Sequence, residues 1–303
     1  MDETKLEFEI QNQYVFEKPN SARSDALYMA ANEELAIPFP STPIDTMPFL
    51  TKITGGFRAN EFTILCGATG SGKTTFLANI SDALMTQFVP HFVASVETGP
   101  TDFLKRVMSV RLDRDINTGE QVDIAILKHF KEKYGEIFID RPSLFLSLYD
   151  NRCAVEKLMN DIAWHVEKHG VKVAIIDNLN FFMEVTSAQN QIVEMDRVVH
   201  ELIIFCKRVP VHVVMVMHPK KTDGGRVESE FDVKGSSTAV QEAHNVFLFN
   251  RPRKEDIEKN LAGPMARELK IAKMRRRGKA VNSRLIYETT NGVKYTETVA
   301  YEF

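Results

Sequence analysis

Gly67-Ala68-Thr69-Gly70-Ser71-Gly72-Lys73-Thr74 has the glycine, lysine and hydroxyl spacing that suits a triphosphate. Glycines let backbone N–H groups turn inward around an anion. Lys73 is placed to reach the β- and γ-phosphates, and the Thr74 hydroxyl to meet Mg2+. The stretch follows the apolar run Phe62 to Cys66 and precedes a striped segment from Thr74 to Phe88. A strand-to-helix junction there adds the positive end of a helix to the anion site. ATP and Mg2+ are the expected ligands, with Ala68, Thr69, Gly70, Ser71, Gly72, Lys73, Thr74 and Thr75 around them.

A second acid belongs to the same chemistry. Val173-Ala174-Ile175-Ile176-Asp177 is an apolar strand closed by a carboxylate, which joins Thr74 as the other half of a magnesium site. Without the upstream loop, such an aspartate is more often a turn starter. Its neighbour Asn178 cannot take a proton, so the base that activates water is sought elsewhere. Glu97 ends the apolar run Phe92 to Val96 and precedes Gly99-Pro100. Strand ends on one edge of a parallel sheet converge on a ligand, whereas the plainer role for Glu97 is to cap the next helix.

The elements that must hold these groups alternate along the chain. Strands are expected at 62–66, 92–96, 137–139, 171–176 and 211–217, and helices at 74–88, 101–112, 121–133, 154–169 and 191–208. A polar loop over 219–235 leads to a short helix and strands near Val246, Glu268, Arg284 and Lys294. The rhythm predicts an α/β fold: a mostly parallel twisted sheet flanked by helices, with antiparallel strands at its C-terminal end. Ahead of it lie an acidic tail over 1–20 and a linker over 21–50. That linker comprises a helix from Ser21 to Ile37 and a stretch broken by Pro38, Pro40, Pro43 and Pro48. The ATP-binding domain is expected over 51–303.

The 303 residues carry a net charge of −3, so the total does not announce a polyanion partner. The density of Arg and Lys between Arg251 and Arg284 does point to one, or to a solvated face. Cys66, Cys153 and Cys206 are scattered without metal-binding spacing, the N-terminus is acidic, and no apolar run approaches the ~20 residues of a membrane span. A cytoplasmic protein with no membrane partner is expected.

A carboxylate on the second strand, rather than beside Asp177, resembles the RecA-like ATPases. Within them the chain is similar to the hexameric replicative helicases of the DnaB type, especially the Twinkle and phage primase–helicase branch. The stretches that carry the likeness are Gly55-Gly56-Phe57-Arg58, Gly67 to Phe76, Ile175 to Leu179, and Met217-His218-Pro219-Lys220-Lys221. Gly235-Ser236-Ser237, Gln241-Glu242-Ala243, Asn245-Val246 and Lys273-Met274-Arg275 complete it. The resemblance implies that His218 senses the γ-phosphate. It makes Lys273 and Arg275 a finger into a neighbour's site, with Arg276 and Arg277 as competing candidates. Arg251 and Tyr287 would bracket the nucleotide base.

The same resemblance implies DNA-gripping loops at about 185–190 and after His218. Lys220, Lys221, Arg226 and Lys234 in the second loop suit phosphate contacts, and Gly224 and Gly225 suit movement. It further implies 5′ to 3′ travel on single-stranded or forked DNA, a homo-oligomeric ring of six, and a 21–37 helix that packs on an adjacent subunit. The first 37 residues are too short for a primase-like segment, a zinc ribbon or a helical collar. A separate primase, polymerase or loader is the expected partner. A strand-exchange recombinase of the RecA or RadA kind and a non-motor RecA-like regulatory ATPase are the alternatives.

Overall fold

The runs Phe62–Cys66, Val173–Asp177 and His212–Met217 carry side chains that want burial on both faces, and each is a central strand. The computed structural model describes residues 41–116, 124–148, 155–178, 188–220, 226–234 and 237–301. The expected tail over 1–20, the helix over 21–37, Lys221, Gly224, Gly225, Gly235 and Ser236 lie outside them. So does 185–187 of the first expected loop, whose remaining residues open a helix.

In chain order the elements begin with β1 (Ser41–Thr42), α1 (Pro48–Thr54), β2 (Phe57–Arg58), β3 (Phe62–Cys66), α2 (Lys73–Thr86) and β4 (His91–Ser95). Then come α3 (Pro100–Leu112), α4 (Ile124–Gly135), β5 (Leu144–Leu146), α5 (Val155–His169), β6 (Val173–Asp177) and α6 (Ala188–Arg208). The last are β7 (His212–Met217), α7 (Ser237–Glu242), β8 (Asn245–Asn250), α8 (Lys254–Glu258), β9 (Arg267–Met274), β10 (Arg284–Glu288) and β11 (Thr296–Tyr301).

One sheet of nine strands runs β11-β10-β9-β8-β3-β7-β6-β4-β5. From β8 to β5 the neighbours are parallel, and β9, β10 and β11 join antiparallel. Strand side chains alternate between the two faces. Ile64, Ala174, Ile176, Val213 and Met215 meet Leu158 and Ile162 of α5 and Val198 and Leu202 of α6. Leu65, Val93, Ile175, Val214 and Val216 meet Phe76, Leu77, Ile80 and Leu84 of α2 and Phe103 and Val107 of α3. Helices on both faces explain why these strands are apolar throughout instead of alternating.

Two expectations give way here. No strand forms at 137–139: Glu136–Asp140 continues α4 as a π-helical turn with Ile139 56% exposed, and the strand beside β4 is β5 instead. A short apolar run has no period that separates strand from helix, and Pro142 marks where the helix has ended. The proline-rich stretch is also more than a linker from Ser41 onward. Ile44, Met47 and Leu50 are each 1% exposed in the core, and Pro48 starts α1 at a position where its missing N–H costs nothing. The Glu297 carboxylate of β11 accepts the Phe49 and Leu50 N–H groups at 2.6 and 3.0 Å, holding that helix to the sheet.

Candidate functional site

Gly67 to Gly72 bridges β3 and α2. The loop needs glycine where backbone approaches backbone: a Cβ on Gly67 would lie 2.3 Å from the Phe249 carbonyl. Gly72, at φ +96, would place one 2.7 Å from the Tyr295 hydroxyl. Lys73 opens α2 and is buried, its ammonium donating to Gly67 O at 2.7 Å and Ala68 O at 3.0 Å. Burial lowers its pKa, and the nearby Asp177 carboxylate opposes the shift.

Parallel register brings the other strand ends to this loop. Cys66 pairs with Met217, and Ser95 with Asp177. β4 is not beside β3, because β7 and β6 lie between them. Glu97 still converges on the site, one turn beyond β4. The Thr74 hydroxyl donates to Asp177 Oδ2 at 2.8 Å. Asp177 is 1% exposed, and burial pushes its pKa up to about 6 against the Thr74 hydrogen bond. Asn178 ties the remaining two groups together. Its Nδ2 donates to Glu97 Oε2 and also meets His218 Nε2 at 3.0 Å. An amide nitrogen only donates, so Nε2 is the acceptor and a neutral His218 carries its proton on Nδ1. Burial, and then the charge of Lys73, lowers the His218 pKa. Lys73, Thr74, Glu97, Asp177 and His218 are therefore brought to one edge of the sheet.

A cavity of about 710 Å³ opens beside the loop, lined by Ala68, Thr69 and Ser71 on one side and Asn250, Arg251 and Arg253 on the other. Its volume suits a nucleotide. Arg251 reaches it. Tyr287 does not: it is 0% exposed between Phe76 and Tyr295, with its hydroxyl donating to Glu297 at 3.0 Å, so it presents no face to a base. The expected bracketing pair is corrected on that point, because strand alternation turns Tyr287 into the core. Arg226 also lines this cavity, ion-paired to Glu228 and Glu268. Lys220 is exposed with Nζ on the Phe231 carbonyl, and Lys234 pairs through its N–H with His218 O.

Lys273 and Arg275 lie at the opposite edge. Met274 pairs with Asn245, and Asn245 with Thr63 near the start of β3, so the finger candidates and Gly67 sit at opposite ends of that strand. At about 3.3 Å per residue, roughly 13 Å of strand separates them. Lys273 Nζ donates to Val240 O at 2.8 Å, Arg275 donates to Gln241 O, Arg276 pairs with Glu61 at 3.2 Å, and Arg277 donates to Lys52 O at 2.8 Å. These side chains do not reach Lys73 within one copy.

Sequence reasoning missed two contributors. Asn178 was set aside as unable to take a proton, although donation is what the site uses. Arg267 Nε donates to Ser71 O at 2.7 Å and braces the loop from β9; nothing local in the sequence signals this.

The AAA-domain family matches residues 45–224, more than half of the chain. The chain belongs to this family. The chain is 23% identical over 219 residues to the DNA helicase/primase of Enterobacteria phage T3, covering 69% of this chain and 38% of that protein. It therefore spans well under half the length of that relative. Its fold is that of helicase ATPase domains. It superposes on the ATPase domain of G40P with a TM-score of 0.71 at 13% identity, covering 93% of this chain and all of that one. On a DnaB-like replicative helicase, studied for its interactions with primase, the TM-score is 0.74 at 14% identity, covering 97% and 70%.

Proposed function

We propose that the AAA domain is an ATP-driven DNA helicase motor that moves along single-stranded DNA, with ATP hydrolysed where two copies meet. The observation that carries the reading is the Asn178 amide, which joins Glu97 to His218 beside Lys73 and the Thr74–Asp177 pair. A carboxylate there can orient water for attack on the terminal phosphate. An imidazole bonded to the same amide can relay the state of that phosphate into the segment that follows β7.

The residues present fit both ligands. Ser71 Oγ is buried within the phosphate loop without a hydrogen-bond partner, a donor suited to a phosphate oxygen. The Thr74 hydroxyl and Asp177 carboxylate supply the hard oxygen ligands that Mg2+ prefers. Bound there, Mg2+ would neutralise charge on the β- and γ-phosphates. Lys73 would leave its loop carbonyls for phosphate oxygens, and Arg251 would lie along the base.

Arg275, at the far edge of the sheet, supports a site completed in trans, since a finger in this position can serve only another copy. A ring of six, 5′ to 3′ travel and a separate primase or loader come with the helicase reading. DNA would be held by Lys220 and Lys234 and by the segment between them, through phosphates and without sequence preference. The test is unwinding of forked duplexes with a single-stranded arm of either polarity, with ATP and across a salt series. The reading expects ATP-dependent unwinding of the fork with a 5′ arm, weakening steeply with salt. Homologous strand pairing without unwinding, or hydrolysis indifferent to single-stranded DNA, would overturn it.

A further inference from the structure

The edge of the sheet that carries Arg275 also holds a carboxylate that the nucleotide site does not use. Glu61 directly precedes β3 and is 5% exposed. A chain of hydrogen bonds pins it. Asn245 Nδ2 donates to Glu61 Oε2 and to Thr63 Oγ1, each at 3.1 Å. The Thr63 hydroxyl gives its own proton to His212 Nε2 at 2.9 Å, and His212 Nδ1–H donates to the Arg58 carbonyl at 2.8 Å. Burial lowers the His212 pKa to about 4, so the ring is neutral and its two nitrogens have separate roles. With every proton in this chain assigned, the carboxylate is fixed to β2, β3, β7 and β8.

The other oxygen of Glu61 faces cations. Arg276 Nε lies 3.2 Å from Oε1, an oxygen that accepts no hydrogen bond among the described residues, so charge carries the attraction. The carboxylate side chain is 6% exposed and that of Arg276 45%, so a fixed, buried anion anchors a cation at the surface. Arg58 and Arg277 crowd the same place. A Cβ on Gly55 would lie 2.8 Å from Arg58 Nη2 and 2.9 Å from Arg277 Nη2, and the three arginines line one small cavity with Glu61. Burial lowers the Arg58 pKa, Glu61 opposes the shift, and Arg277 and Arg276 add to it. Like charges this close repel, so removing the Glu61 charge would drive Arg276 from its position. Arg275 and Arg277 are held differently, through the backbone carbonyls of Gln241 and Lys52.

We propose that Glu61 is a positioning residue that holds Arg276, beside Arg275, for the nucleotide bound in another copy. The inference rests on the reading above that sites are completed in trans. Glu61 sets where the second cation stands. The phosphate oxygens of the neighbouring copy then meet two guanidiniums, and their charge neutralises the positive excess at this edge.

The test is steady-state ATP hydrolysis by the full chain, alone and in mixtures, with nucleotide binding read separately by anisotropy of a fluorescent analogue. Glu61→Gln keeps an acceptor for Asn245 and loses the charge. Its kcat should fall about tenfold with KM within about twofold, the pattern of a transition-state cation displaced without loss of nucleotide binding. Arg276→Gln should show the same split, and the double variant should be no slower than Arg276→Gln, because the pair acts as one unit. Glu61→Asp, which restores the charge, should recover part of kcat. Mixed with Glu97→Ala, Glu61→Gln should gain activity, since one partner keeps the site and the other the edge. Mixed with Arg275→Ala it should give no more than the average of the two, since both lesions lie on one edge. If Glu61→Gln does not fold, Glu61→Asp and Arg276→Gln, the latter at an exposed position, carry the same measurements. Wild-type kcat in Arg276→Gln, full additivity in the double variant, or no gain with Glu97→Ala where Arg275→Ala does gain, overturns this proposal alone. No gain from Arg275→Ala with Glu97→Ala in assemblies shown to be mixed overturns the reading in trans, and this proposal with it.

Discussion

Asp177→Asn should make the nucleotide-free chain more stable at pH 8 while removing ATP turnover. The carboxyl is 1% exposed, and burial raises its pKa from 3.8 to about 6. At 1.36 kcal/mol per unit, a rise of about 2 units means that holding the ionised form inside costs on the order of 3 kcal/mol. A carboxyl whose folded pKa lies above its unfolded value binds its proton more tightly in the fold. Its contribution to stability is therefore complete below about pH 4, falls as pH rises toward about 6, and stays lost above that. The amide has no charge to desolvate, and its oxygen can still accept the Thr74 hydroxyl. The variant should gain ~1–3 kcal/mol at pH 8, shrinking to about a third of that at pH 4.5.

Urea unfolding of both proteins at the two pH values measures this difference. Asp82, which burial also raises to about 6, titrates in the same window but is common to both proteins and cancels. A variant less stable than wild type at pH 8, or a gain that does not change with pH, would refute the reasoning. ATP turnover should fall at least ~10²-fold, because the proposed Mg2+ site would lose its charged protein ligand.

The other site residues separate by the step they serve. Lys73→Ala should abolish binding of a fluorescent ATP analogue, read by anisotropy. Glu97→Gln should keep that binding within a few-fold while turnover drops ~10²-fold or more, the usual effect of losing a general base. Arg275→Ala should bind nucleotide and fail to turn it over; mixed with Glu97→Ala, it should recover part of the activity, because a mixed assembly contains interfaces with both groups intact. Steady-state hydrolysis across mixing ratios checks this, and no recovery in assemblies shown to be mixed would remove the case for a finger in trans. Tyr287→Phe should leave nucleotide affinity within about twofold and cost about 1 kcal/mol of stability, the typical value of one hydrogen bond. A large affinity loss without destabilisation would place the ring at the ligand after all.

Local signals carried much of the architecture. The junction β3–Gly67–Lys73–α2 declares itself because strand, glycines, lysine and helix are contiguous, and each reinforces the others. The strands β3, β4, β6 and β7 could be placed from unbroken β-branched and apolar runs, and a parallel sheet follows from their alternation with striped helices. The exception at 137–139 is instructive. Ile137 and Ile139 are as apolar as a strand requires, but the choice between strand and helical turn depends on whether β4 has an edge to offer, and β5 takes that edge.

Other features were set by contacts between residues far apart in the chain. Whether an aromatic on β10 faces a ligand or the core depends on register, which puts Tyr287 beside Phe76 and Glu297. Arg226 belongs to a basic loop by composition, yet it pairs with Oε1 of buried Glu268, whose other oxygen Arg284 holds, and a buried carboxylate needs such partners. Asn178 shows the same division. That an amide follows Asp177 is written in the chain; Glu97 and His218 come within its reach because β6 lies between β4 and β7. Residue types and short-range periodicity are written in the chain, whereas side-chain partners depend on strand order, and strand order is decided by packing both faces of the sheet at once.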